Sequence, residues 1–164
     1  MAKILVIRLS AIGDVAMTVP VIYSAAKANP QHTFTVLTQA FLIPVFMNRP
    51  ANVDVIGINT KAAEKTLGGL LRFASALVKY EYDVVLDLHN VIRTMIIRGM
   101  FRIKGKKVYV VDKARKERKR LTERNHKELK PYSPQMVRRM HKEIIREAGI
   151  DGLYAEAAVK VEAH

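Results

Sequence analysis

The sequence predicts a single α/β domain built on a doubly wound, mostly parallel sheet, and three features carry that expectation. Short aliphatic runs alternate along the chain with segments of helical periodicity, the order expected when each strand is followed by a crossover helix. The strand-like runs show almost no polar alternation, as strands do when both faces of their sheet are covered. At 164 residues with 49% apolar side chains, the chain suits one domain with its own core and is short for two.

The elements follow in order. Residues 3–9 are β-branched and aliphatic and read as a buried strand. Residues 10–14, Ser-Ala-Ile-Gly-Asp, supply a turn. From Val15 the spacing of Val15, Val19, Ile22 and Ala26 marks one face of a helix that ends near Asn29 and Pro30. Residues 33–38 read as a second strand, 41–47 as a short helix and 53–58 as a third strand. Leu67, Leu70, Leu71, Ala74, Leu77 and Val78 keep helical spacing. A fourth strand over 83–88, a helix over 91–101 and a fifth strand over 106–111 come next, and Met136, Met140, Ile144 and Ala148 mark a last helix ending near Gly149. Ligands of such sheets bind beyond the carboxyl ends of the strands, so the loops at 10–14, 59–69 and 89–93 are expected to carry the function.

Charge narrows the partners. The net charge is +13, and residues 101–164 hold 18 Lys and Arg against 9 Asp and Glu. Such a field favours an anionic partner: nucleic acid, a phosphorylated glycolipid or an anionic membrane face. Residues 113–130 contain nine Lys and Arg, with Leu121 and Leu129 the only large aliphatics, and are expected to be exposed. Nucleic acid is disfavoured, because no recognition module is present and no aromatics interleave the cluster for base stacking.

Several chemistries are excluded. The chain has no cysteine, so disulfides, thiolate nucleophiles and cysteine-ligated zinc are ruled out. Its histidines, at 32, 89, 126, 141 and 164, show no metal-ligand spacing, and neither a metal nor a cofactor is expected. No apolar stretch reaches the roughly 18 to 20 residues of a membrane span, and the N-terminus lacks a signal-peptide core. The expected location is the cytoplasm, with peripheral contact at the inner face of the cytoplasmic membrane.

The turn at 10–14 admits two readings. Asp14 or Ser10 caps the following helix by accepting from its orphan N–H groups, or Asp14 is a general base beside the mouth of the sheet. Dinucleotide binding is disfavoured, since Gly13 is the only glycine in the turn and G-x-G-x-x-G is absent; a Walker-type phosphate loop is absent too.

Two segments, K-I-L-V-I-R-L-S-A-I-G-D-V-A-M-T-V-P-V-I-Y-S and Y-D-V-V-L-D-L-H-N-V-I-R-T, carry a family likeness. Over about residues 2–150 the chain resembles the N-terminal domain of bacterial ADP-heptose:lipopolysaccharide heptosyltransferases, glycosyltransferase family 9. The resemblance implies the N-terminal, acceptor-side half of a GT-B enzyme, in which two Rossmann-like domains face each other across a cleft. It implies that Asp14 deprotonates the acceptor hydroxyl, which attacks the anomeric carbon of a nucleotide sugar, ADP-heptose, with inversion. Ser10 and Gly13 of the same turn, with His89, Asn90 and Arg93 after the fourth strand, are then expected at the acceptor, His89 and Arg93 bonding its hydroxyls or carboxylates. Lys61 and Lys65 are expected to engage an anionic lipopolysaccharide-core acceptor. The family more often has Gln-Gly where this chain has His89-Asn90.

The domain expectation is therefore an acceptor-side unit over 1–150, including the basic segment 113–130, and a short tail over 151–164. The donor-binding domain is expected to be absent, the chain being a truncated product or the partner of a separately encoded donor half, and inactive alone. The competing class is a non-catalytic basic module that binds anionic glycolipid or nucleic acid.

Overall fold

The computed structural model describes residues 1–111 together with Lys142, Ile145, Arg146 and residues 148–150. The basic segment 113–130, the tail 151–164 and most of the helix expected over 136–148 lie outside the described residues.

Five strands, β1 (Lys3–Ile7), β2 (Thr33–Gln39), β3 (Val53–Ile58), β4 (Val84–Asp87) and β5 (Lys107–Val110), form one all-parallel sheet in the order β3-β2-β1-β4-β5. Three α-helices connect them: α1 (Ile12–Ala28), α2 (Leu67–Val78) and α3 (Ile92–Ile103). β1 is central, pairing Ile4 with Phe34 on one side and with Val84 on the other. Its aliphatic sequence follows from that place, since both of its faces are covered. Ile4 and Val6 pack under α1 with Val15, Ile22 and Phe34, while Leu5, Ile7 and Leu9 pack on the opposite face with Leu70, Leu77, Ile97 and Phe101 of α2 and α3. Ile145 and Ile150 close the α1 side. Among the described residues no helix is long and apolar enough to cross a membrane.

Three boundaries differ from the sequence expectation, each for a physical reason. α1 begins at Ile12, a turn before Val15, because its first residues overhang the sheet edge and have no core to face; Ile12 and Gly13 are exposed. Gly13 and Asp14 therefore belong to the helix and not to the turn before it. Residues 40–45 form a 3₁₀ helix in place of the α-helix expected over 41–47. Pro44 has no N–H to extend an α ladder and pushes the residue before it away from the α region. β1, β4 and β5 are also shorter than the runs expected over 3–9, 83–88 and 106–111, although Arg8 and Leu88 keep ladder bonds beyond the ends of β1 and β4, Arg8 N–H to Leu37 O (2.9 Å) and Leu88 N–H to Ile7 O (3.0 Å).

The 3₁₀ helix lies directly on β3. A Cβ added at Gly57 would come within 2.8 Å of Ala40 Cα, so this strand glycine is required by close backbone approach. Gly57→Ala is expected to lower stability by about 1–3 kcal/mol, read as a shift of the urea midpoint at unchanged slope.

Tyr82, two residues before β4, is buried against Phe101 with ring centroids 6.2 Å apart. Burial raises its phenol above the ordinary value, and a hydrogen bond with Thr35 partly opposes the shift. A raised folded value means that the neutral phenol stabilises the fold fully below pH about 10 and that this contribution is lost as pH rises through the folded value. Tyr82→Phe is expected to abolish that alkaline component in stability measured against pH.

Candidate active site

Between β1 and β4 the direction of strand addition reverses, since β2 and β3 lie on one side of β1, and β4 and β5 on the other. This is the topological switch point, where the two loops diverge and leave a crevice at the carboxyl edge. The β1–α1 connection, residues 8–11, and the β4–α3 connection, residues 88–91, border it. The Ser10–Ala11 peptide bond in the first of these is cis.

Strand alternation aims Arg8 at the same face as Ile4 and Val6, under the first turn of α1. Arg8 is buried, and its guanidinium donates through one terminal nitrogen to the Asp14 carboxylate and through the other to Leu88 O at 2.5 Å. One side chain thus ties together the ends of β1 and β4 and the start of α1. The ion pair engages Asp14 Oδ2, and no hydrogen bond among the described residues engages Oδ1. The Asp14 side chain is 34% exposed, so its carboxylate is held from below and open above. The capping reading is corrected by this geometry: the N-cap of α1 is Ala11, which makes no side-chain bond, and Asp14 sits in the first turn paired with Arg8. A carboxylate there also meets the positive end of the helix dipole.

On the opposite face a second buried ion pair mirrors the first. Asp87, the last residue of β4, accepts from Arg98 of α3 at 2.6 Å through Oδ2, and from the backbone N–H groups of His89 (3.0 Å) and Asn90 (2.8 Å) through Oδ1. Asn90 turns the chain in the left-handed region, φ 48°, which Asn tolerates through its short polar side chain. Its amide is engaged internally: Nδ2 donates to Val111 O (3.2 Å) and Oδ1 accepts from Arg98 (3.1 Å). The N-cap of α3 is Val91, with its N–H donating to Thr94 Oγ1 at 3.0 Å.

This turn brings His89 across the crevice, where its Nε2 lies 3.4 Å from Ser10 Oγ. The structure therefore gathers Ser10, Asp14 and His89, with Gly13 one residue before Asp14 and Arg93 exposed in the first turn of α3. A Cβ at Gly13 would meet nothing within 4 Å, so this position faces open space at the start of α1. Lys61 and Lys65 share the carboxyl edge but follow the edge strand β3, two strands from β1 and so about 10 Å away laterally. Both are exposed, and neither forms an ion pair among the described residues.

Sequence reasoning missed Arg8, Asp87 and Arg98 as parts of the site. Arg8 and Asp87 had a signal, a charge inside an otherwise apolar run, which a core tolerates only when it is paired; Arg98 had none, because α3 also carries Arg93 and Arg102.

These features define a Rossmann-like α/β domain whose switch point holds an open carboxylate braced by a buried arginine, a fold that the solved GT-B glycosyltransferases share. Among these is a glycosyltransferase family 9 structure from Veillonella parvula, 21% identical with a TM-score of 0.63, covering 92% of this chain and 42% of its own. Another is the E. coli heptosyltransferase WaaC solved with ADP, 20% identical with a TM-score of 0.62, covering 93% of this chain and 49% of its own. A plant UGT transferase from Siraitia grosvenorii in complex with UDP aligns at 9% identity and a TM-score of 0.51 over 68% of this chain and 28% of its own. The chain thus spans about half or less of these structures. No protein-family model matches the sequence, and no curated protein matches it.

The Asp87–Arg98 pair should dominate the stability of this edge. Arg98→Met strands a buried carboxylate and is expected to cost about 3–5 kcal/mol in denaturant unfolding, whereas the same change at the exposed Arg93 should cost less than about 0.5 kcal/mol.

Proposed function

We propose that this chain is the acceptor-side domain of an inverting glycosyltransferase of the heptosyltransferase kind. The observation that carries the reading is Asp14: a partly exposed carboxylate at the switch point, one oxygen held by the buried Arg8 and the other without a hydrogen bond among the described residues. The likeness of the fold to glycosyltransferases solved with nucleotide ligands supports it.

In this reading an acceptor hydroxyl lies over α1's first turn within reach of Asp14 Oδ1. Asp14 takes its proton as the hydroxyl oxygen forms a bond to the anomeric carbon of a nucleotide sugar, with ADP-heptose as donor. The bond from that carbon to the diphosphate breaks on the opposite side, and the nucleoside diphosphate leaves with the electron pair, inverting the centre. Arg8 fixes which carboxylate oxygen faces the acceptor, a positioning task that general-base catalysis requires. Ser10 and His89, paired across the crevice, are placed to bond neighbouring acceptor hydroxyls, with Arg93 at the rim. Lys61 and Lys65 are assigned to the outlying charges of an anionic lipopolysaccharide-core acceptor. Asn90 is left to hold the turn, because both ends of its amide are occupied. The binding-module alternative draws on residues 113–130, which lie outside the described residues.

Asp14→Asn preserves size and can still accept from Arg8. Assayed for sugar transfer in the enzyme that contains this half, it is expected to lower turnover at least about a hundredfold while leaving the unfolding midpoint near that of the parent. Unchanged turnover in the Asn variant would refute the assignment.

A further inference from the structure

α3 is apolar on the side where water is expected. It buries Thr94, Ile97, Arg98 and Phe101 against the sheet. At 3.6 residues per turn the opposite pole is occupied by Ile92, Gly99 and Ile103, with Met95 beside them. Ile92 is 77% exposed, Met95 51% and Ile103 81%. Arg93 and Arg102 flank this crest, and Lys104 and Lys107 follow it, all four exposed. No acidic residue occurs between positions 88 and 111.

A helix in the outer layer of a domain ordinarily turns its polar side to solvent. An apolar crest flanked by cations is instead the pattern of a helix lying in a lipid interface. From this pattern we infer that the outer face of α3 docks on an anionic lipid surface. Ile92, Met95 and Ile103 enter the boundary between headgroups and acyl chains, and Arg93, Arg102, Lys104 and Lys107 meet the lipid phosphates. Charge selects this occupant: a second copy of the chain would set the same cations against each other, whereas anionic lipid complements all of them. Because α3 starts at the turn bordering the switch point, docking would bring the mouth of the crevice to the lipid surface. The inference stands on α3 alone and is independent of the transferase reading.

The test is co-sedimentation of the protein with vesicles of phosphatidylcholine, with and without phosphatidylglycerol. Binding is expected to the mixed vesicles, to weaken with salt, and to be much weaker with phosphatidylcholine alone. The double substitution Ile92→Ser, Ile103→Ser should lower partitioning at least about tenfold, while Met47→Ser, an exposed apolar residue away from α3, should not. The chain contains no tryptophan, so Ile103→Trp provides a single indole whose emission should shift to the blue on the mixed vesicles. Partitioning that survives the double substitution would place lipid contact on other basic residues and overturn the inference. So would an unshifted indole emission, or a concentration-dependent dimer that the double substitution abolishes while the native chain ignores vesicles.

Discussion

Everything at the carboxyl edge depends on the parallel pairing of β1 with β4. Had β4 been added beyond β3, the turns after β1 and β4 would stand on separate parts of the edge. Inserted on the free side of β1, it reverses the order of the sheet and sets the two turns against one another. Arg8 binds that junction by spanning from β1 to the Leu88 carbonyl and the first turn of α1. A cation on a central strand is costly to bury, and it persists here because its hydrogen-bonding fork reaches two acceptors at once.

The two ion pairs are complementary in construction. On the α1 side the strand supplies the cation and the helix the carboxylate; on the α3 side the strand supplies the carboxylate and the helix the cation. Their exposure separates their tasks. Asp87 is fully buried, its carboxylate accepting from three donors, and serves the turn that carries His89. Asp14 is held at one oxygen, and no hydrogen bond among the described residues engages the other, as the proposed proton acceptor requires.

The edge also combines two kinds of surface. The two turns meet through the polar side chains of Ser10 and His89, whereas α3, which starts beside them, presents isoleucines to the outside. A polar site next to an apolar, cationic face suits the proposed acceptor, a sugar hydroxyl carried by an anionic amphiphile. That coincidence joins the transferase reading to the lipid-docking one without making either a premise of the other.

Much of the fold was legible in the residues. Strand and helix identity came from local periodicity, which burial on one or two faces imposes directly, so KILVI read as a doubly covered strand and the leucines of α2 as a helix stripe. The turn at 10–14 and the H-N-V-I-R segment stood out because charged and small residues interrupt those patterns, and Asp14 could be singled out from the chain alone. Tertiary structure alone decided what those residues touch. Nothing local says that Arg8 reaches Asp14, that Asn90 spends its amide on Arg98 and Val111, or that Ser10 meets His89 across 79 positions of sequence. Those contacts follow from strand order, and strand order is set by the joint packing of both faces of the sheet, which no single segment encodes.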